Sequence, residues 1–135
     1  MESICKVLYP EQFQSNRIFT HSEFEQELKD VLERSGYKQK FISMFRQRMK
    51  FLEDNWYQCN RKRDWFEILK KTDGLYSIKF KGQKNIRIIF KFIGYKNRDI
   101  ALLLCIFEEK NSKNNYKEAI HIAQKRLSDI NNLID

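Results

Sequence analysis

Leu75-Tyr76-Ser77-Ile78-Lys79-Phe80-Lys81 decides the fold, because here the chain changes its hydrophobic period to two. Leu75, Ser77, Lys79 and Lys81 alternate with Tyr76, Ile78 and Phe80, the pattern of a strand with one buried face. Gly82 to Asn85 reads as a turn. Ile86 to Ile93 reads as a second strand, its apolar run interrupted by Arg87 and Lys91. Gly94 to Asp99 turns again, and Ile100 to Phe107 is a third, more buried strand. Short turns between successive strands give an antiparallel meander.

On the N-terminal side the period is helical. Ser22 and Glu25 have capping-box spacing, and Phe24, Leu28, Val31 and Leu32 recur on one face up to Gly36. A second helix starts near Lys38, with Phe45, Met49 and Leu52 in its apolar stripe and Arg46, Arg48 and Lys50 turned elsewhere. The two helices read as an αα-hairpin. Ile4 to Tyr9 suits a short strand, and Asn55 to Asp73 looks irregular, anchored by Trp56 and Trp65. After the meander, Asn115 with Glu118 suits a helix cap. Tyr116, Ile120, Ala123, Leu127, Ile130 and Ile134 then form an amphipathic stripe. The expected architecture is α+β, an N-terminal helical hairpin packed on a small antiparallel sheet of three to four strands, with a C-terminal helix. It spans residues 1–135 as a single domain.

Composition agrees with an ordinary packed domain. Apolar residues make up 41% of the 135-residue chain and aromatics 14%, enough to reject disorder. Four glycines and one proline leave little material for a turn-rich β-sandwich. Cys5, Cys59 and Cys105 are widely spaced and no CxxC pair exists, so neither a disulfide framework nor a zinc site is expected. Glu2, Lys6 and Glu11 break any signal-like apolar stretch, and the longest apolar run, Ile100 to Phe107, is far too short for a bilayer. A soluble cytoplasmic protein is expected, with no membrane partner.

The net charge of +8 is unevenly placed. Residues 1–59 hold nine basic and nine acidic side chains, and residues 99–135 hold five and six. Residues 60–98 hold twelve basic against three acidic, a net of +9. Such a block suits a polyanion, and nucleic acid more than membrane, since no basic amphipathic helix carries it. Lys79 and Lys81 share one strand face, and Arg87 pairs close to them if the next strand returns across Gly82 to Asn85. Three clustered cations repel unless an anion sits among them. Lys110 and Tyr116 follow the third strand near the same sheet edge, and an aromatic beside phosphate-binding cations is the pattern of single-stranded RNA recognition. RNA also offers a reaction that side chains can run: the 2′-hydroxyl attacks the neighbouring phosphate while lysine, tyrosine and arginine move protons and steady charge.

Gly74-Leu75-Tyr76-Ser77-Ile78-Lys79-Phe80, Asn85-Ile86-Arg87-Ile88-Ile89-Phe90, Leu103-Leu104-Cys105-Ile106-Phe107-Glu108-Glu109-Lys110 and the helix from Tyr116 with Lys125-Arg126-Leu127 come in order. Together they resemble the RelE/HigB superfamily of toxin endoribonucleases, especially its phage-derived Gp49-like branch, over roughly residues 22–131. The resemblance implies a type II toxin that cuts mRNA on the ribosome, needs no cofactor or metal, and is neutralised by a cognate antitoxin, a small helix-turn-helix protein. It implies catalytic roles for Lys79, Lys81, Arg87, Lys110 and Tyr116. Arg61, Lys62, Arg63, Lys84, Lys91, Phe107 and Lys113 are the matching RNA-binding candidates. The sequence departs from the branch at Glu108-Glu109, where Phe-x-Lys-Lys is usual, so a carboxylate stands where phosphate contact is expected. Phe90 replaces a frequent tyrosine, and Asn114-Asn115 replace a loop proline. A non-catalytic RNA- or protein-binding module is the alternative reading, with Glu109 in its favour.

Overall fold

The alternating stretch from Leu75 forms the middle of a larger sheet than its own three strands. The computed structural model describes residues 3–7, 15–36, 38–82, 85–110 and 113–135. The elements run β1 (Ile4–Lys6), β2 (Ile18–His21), α1 (Phe24–Ser35), α2 (Lys38–Asn55), a 3-10 helix (Trp56–Arg61) and β3 (Phe66–Ile68). They continue through β4 (Leu75–Phe80), β5 (Ile86–Tyr95), β6 (Arg98–Glu108), α3 (Lys113–Asp129) and a short 3-10 turn (Asn131–Leu133).

The strands form one six-stranded sheet in the order β1-β2-β6-β5-β4-β3. All neighbours are antiparallel except β2 and β6, which pair in parallel. This corrects the expected architecture. The class is α+β, but the chain does not open with a helical hairpin on a small antiparallel sheet. Two strands precede the helices, the sheet is mixed, and its strands supply much of the core. The physical reason lies in the added strands. β1 falls within the short strand expected over Ile4 to Tyr9, but β3 is three residues long, too short to show a period, and all four residues of β2 are buried, so nothing alternates. The parallel partner of β2 lies some eighty positions away, and no local turn announces it.

Alternation along β4 and β5 sorts their side chains into two cores. Ile78, Phe80, Ile88 and Phe90 pack with Phe24, Leu28, Phe41, Phe45 and Leu52 of α1 and α2. Leu75, Ile89 and Ile93 pack with Ala119 and Ala123 of α3. Gly36 ends α1 with a left-handed φ of 66°, a conformation glycine adopts without penalty. The expected Ser22–Glu25 capping box does not form. Instead the His21 Nδ1 accepts a hydrogen bond from the Glu23 backbone N–H (3.2 Å) at the entry to α1. The turn between β5 and β6 is tighter than expected, with Lys96 and Asn97 both at positive φ, as a two-residue hairpin requires.

β6 carries one irregularity with a large effect. Ile89 pairs with Cys105, but Phe90 pairs with Leu103, so Leu104 is an extra residue in the ladder. Before the bulge Ile100, Leu102 and Leu104 face α3; after it Cys105 does, and the alternation continues to Phe107 and Glu109. One inserted residue thus turns Phe107 and Glu109, rather than Glu108, toward the α3 face.

Candidate functional site

Beside the first turn of α3 the sheet face carries polar side chains, Ser77, Lys79 and Arg87, next to Phe107. Cross-strand register sets Lys79 opposite Arg87, and Arg87 opposite Phe107, a row across β4, β5 and β6. Ser77 precedes Lys79 by two residues and so lies on the same face. Tyr116 reaches this row from α3.

Arg87 is the centre. Only 8% of the residue is exposed, and a buried guanidinium is tolerable only when its N–H groups find acceptors. Its Nε donates to Tyr116 Oη (3.0 Å), its Nη1 to the Ile86 carbonyl (3.3 Å), and its Nη2 lies 3.2 Å from Glu109 Oε2. The Tyr116 hydroxyl also shares a hydrogen bond with Ser77 Oγ (3.1 Å). Burial pushes the Tyr116 phenol above its ordinary pKa of 10.0, outweighing the opposite pull of Ser77 and Arg87, so the phenol keeps its proton at neutral pH. Phe107 meets the Tyr116 ring edge-on at 5.1 Å.

Lys79 is fixed from several sides. Its backbone N–H donates to the Trp65 carbonyl (2.7 Å), and its carbonyl accepts from Arg48 Nε (2.7 Å) on α2. Its Nζ donates to the Arg63 carbonyl (3.1 Å) and lies 3.7 Å from Glu67 Oε2 on β3. Glu109 is held by its backbone, whose N–H donates to the Asn85 carbonyl (2.7 Å), one step past the end of β6. The anion that three clustered cations call for is therefore supplied in part by the chain itself, through Glu67 and Glu109.

The remaining sequence candidates divide. Lys81 is exposed just past β4, and Lys110 is exposed just past β6, its backbone N–H donating to Asn115 Oδ1 (2.8 Å). That bond engages the Asn115 side chain, which was expected to cap α3; the helix begins two residues earlier, at Lys113. Arg61, Lys62 and Arg63 are exposed on the segment entering β3, the Lys62 ammonium 4.4 Å from the centre of the Trp65 ring. Lys91 does not join the cluster. It lies beyond buried Ile89 on the same face and pairs with Asp73 (3.8 Å). Lys84 and the Lys113 side chain lie outside the described residues. Sequence reasoning missed Ser77 and Glu67, and turned Arg48 away from the core although it is 6% exposed. The two-residue spacing from Lys79 could have found Ser77; no local signal marks Arg48.

Cys59 and Cys105 are buried, and burial pushes both thiols up to about 12. Among the described residues no group of three or more His, Cys, Asp or Glu side chains could hold a metal ion, and no helix is long and apolar enough to cross a membrane. Comparison with protein-family models, curated proteins and solved structures finds no match.

Proposed function

We propose that this chain is an endoribonuclease that opens RNA by attack of a 2′-hydroxyl on the adjacent phosphate. On this reading it is the cytoplasmic toxin of a type II toxin–antitoxin pair, acting on mRNA at the ribosome. The observation that carries the chemistry is the buried Arg87 guanidinium, oriented by Tyr116 and Glu109 and flanked by the Lys79 ammonium. A pre-positioned guanidinium and ammonium stabilise the charge that gathers on phosphate oxygens as the bond to the 2′-oxygen forms. The Phe107–Tyr116 pair offers apolar surface beside them for a base or ribose, and Lys81, Lys110 and Arg61 to Arg63 are exposed cations for the flanking backbone. The ribosome and a small helix-turn-helix antitoxin enter through the resemblance to toxin endoribonucleases.

Induced expression should arrest growth, and co-expression of the antitoxin should restore it. Purified protein added to translating ribosomes should cut end-labelled mRNA, and Arg87→Ala should not. The ion pairs Lys79–Glu67 and Arg87–Glu109 favour a second reading, a module that binds RNA or an acidic protein without cutting. Salt-sensitive RNA binding with the RNA intact after incubation on ribosomes would establish that reading instead.

A further inference from the structure

We infer that Glu109 is the group that takes the proton from the attacking 2′-hydroxyl, an assignment that rests on the ribonuclease reading above. Every other basic or hydroxyl side chain in the cluster is committed as a donor or already occupied. An ammonium and a guanidinium have no acceptor lone pair, so Lys79 and Arg87 cannot receive a proton while charged. Tyr116 Oη already accepts from Arg87 Nε and shares its remaining bond with Ser77, which is fully buried. Two carboxylates remain. Glu67 stands on the edge strand β3, across Lys79. Both side chains are partly exposed, Glu67 more than Glu109, but Glu109 is the one beside the Arg87 guanidinium.

Arg87 gives the position meaning. A guanidinium has five N–H donors. Among the described residues Nε donates to Tyr116 and Nη1 to the Ile86 carbonyl, Glu109 forms an ion pair at Nη2, and one further N–H on each Nη is left for phosphate oxygens. A phosphate on those two donors brings its ribose next to Glu109. A carboxylate there would only repel an anion if it had no chemical role. With one, the proton leaves the 2′-oxygen for Glu109, the 2′-oxygen bonds to phosphorus, and the bond from phosphorus to the 5′-oxygen breaks. The leaving oxygen takes a proton from the Lys79 ammonium. The products are a 2′,3′-cyclic phosphate and a 5′-hydroxyl, and water returns the proton from Glu109 to Lys79.

Glu109→Gln separates this role from simple repulsion. Single-turnover cleavage of labelled mRNA on ribosomes should fall by about 10²- to 10⁴-fold. Affinity for a 2′-O-methyl RNA, which cannot be cut, should be unchanged or higher. Glu109→Asp, which keeps a carboxylate, should retain part of the rate that Glu109→Gln loses. A Glu109→Gln protein that cleaves as fast as wild type, or faster, overturns the assignment and leaves the ribonuclease reading standing. A wild-type protein that cleaves nothing in this assay overturns both.

Discussion

Arg87 lies where a cation costs several kcal/mol unless its N–H groups are satisfied, and three neighbours satisfy it. Lysine at this position would keep the charge but lose the planar fork that addresses Tyr116, Ile86 and Glu109 together. Arg87→Lys should therefore cut single-turnover RNA cleavage by about 10²-fold, while affinity for uncleavable RNA falls far less. A rate within a factor of three of wild type would mean that charge alone matters and that the fork is incidental. Lys79, Arg87 and Phe107 share a face by strand register, and two of them were legible from period-two spacing and a short turn. Tyr116 was legible as an aromatic near the sheet edge just past the third strand, but nothing local to an amphipathic helix says that its first aromatic will reach Arg87. Glu109 was legible as a misplaced charge, not as a partner, because its direction depends on a bulge five residues earlier, at Leu104.

That bulge ties three elements together. The carbonyl of its extra residue, Leu104, accepts a hydrogen bond from Arg126 Nη1 (2.7 Å) on α3. The same guanidinium grips Glu27 of α1 through both carboxylate oxygens, at 2.7 Å each, and lies 3.4 Å from Glu23. Arg126 is thus the clamp that holds α3, the bulge and α1 in one arrangement. Removing it strands a bulge carbonyl and leaves Glu27 without its partner. Arg126→Ala should cost about 3 kcal/mol, which for a chain of this size lowers Tm by roughly 10 °C. Calorimetry checks the stability, and cleavage measured well below the new Tm should also fall because Phe107 and Glu109 lose their registration. His21 belongs to the same joint. Burial holds its pKa below the ordinary 6.5, helped by Arg126 and opposed by Glu23, Glu27 and Asp129. Between the folded and unfolded values the unfolded chain binds the extra proton, so the stability from neutral His21 is complete above about pH 6.5 and is lost as pH falls below it. Tm of wild type should drop more steeply from pH 7 to pH 5 than that of His21→Gln; parallel profiles would remove His21 from the account of acid sensitivity. The helices themselves were readable from their stripes, whereas the clamp joins side chains ninety-nine positions apart and leaves no trace in local pattern.

Over the whole molecule the basic block from Asn60 to Arg98 is one segment of sequence but two regions of surface. β5 is ten residues long, about 30 Å from end to end, and the block follows the sheet from one end to the other. Arg61, Lys62, Arg63, Lys79, Lys81 and Arg87 gather at the end that carries the Tyr116 cluster. Lys70, Lys71, Lys91, Lys96 and Arg98 lie toward the opposite end, where Asp73 pairs with Lys91 and Asp135 accepts from the Asn97 backbone. A charge count along the chain could not show this division, because β3, the strand that brings Arg61 to Arg63 beside Lys79, is too short to announce itself. The division supplies a matched experiment. Arg61→Ala, Lys62→Ala and Arg63→Ala together remove three positive charges at the site end; Lys70→Ala, Lys71→Ala and Lys96→Ala together remove three at the other. Both lower the net charge equally, so a general attraction between a basic protein and RNA would weaken alike in the two triples. If RNA runs across the Arg87 end, only the first triple should bind uncleavable RNA more weakly. Its plot of log affinity against log salt should be shallower by about 2, roughly 0.7 for each lost phosphate contact on a single strand. Cleavage at saturating RNA should stay near wild type in both, since Arg63→Ala keeps the backbone carbonyl that accepts from Lys79 Nζ. Equal loss of affinity in the two triples would show that RNA is attracted by total charge rather than bound along this end of the sheet.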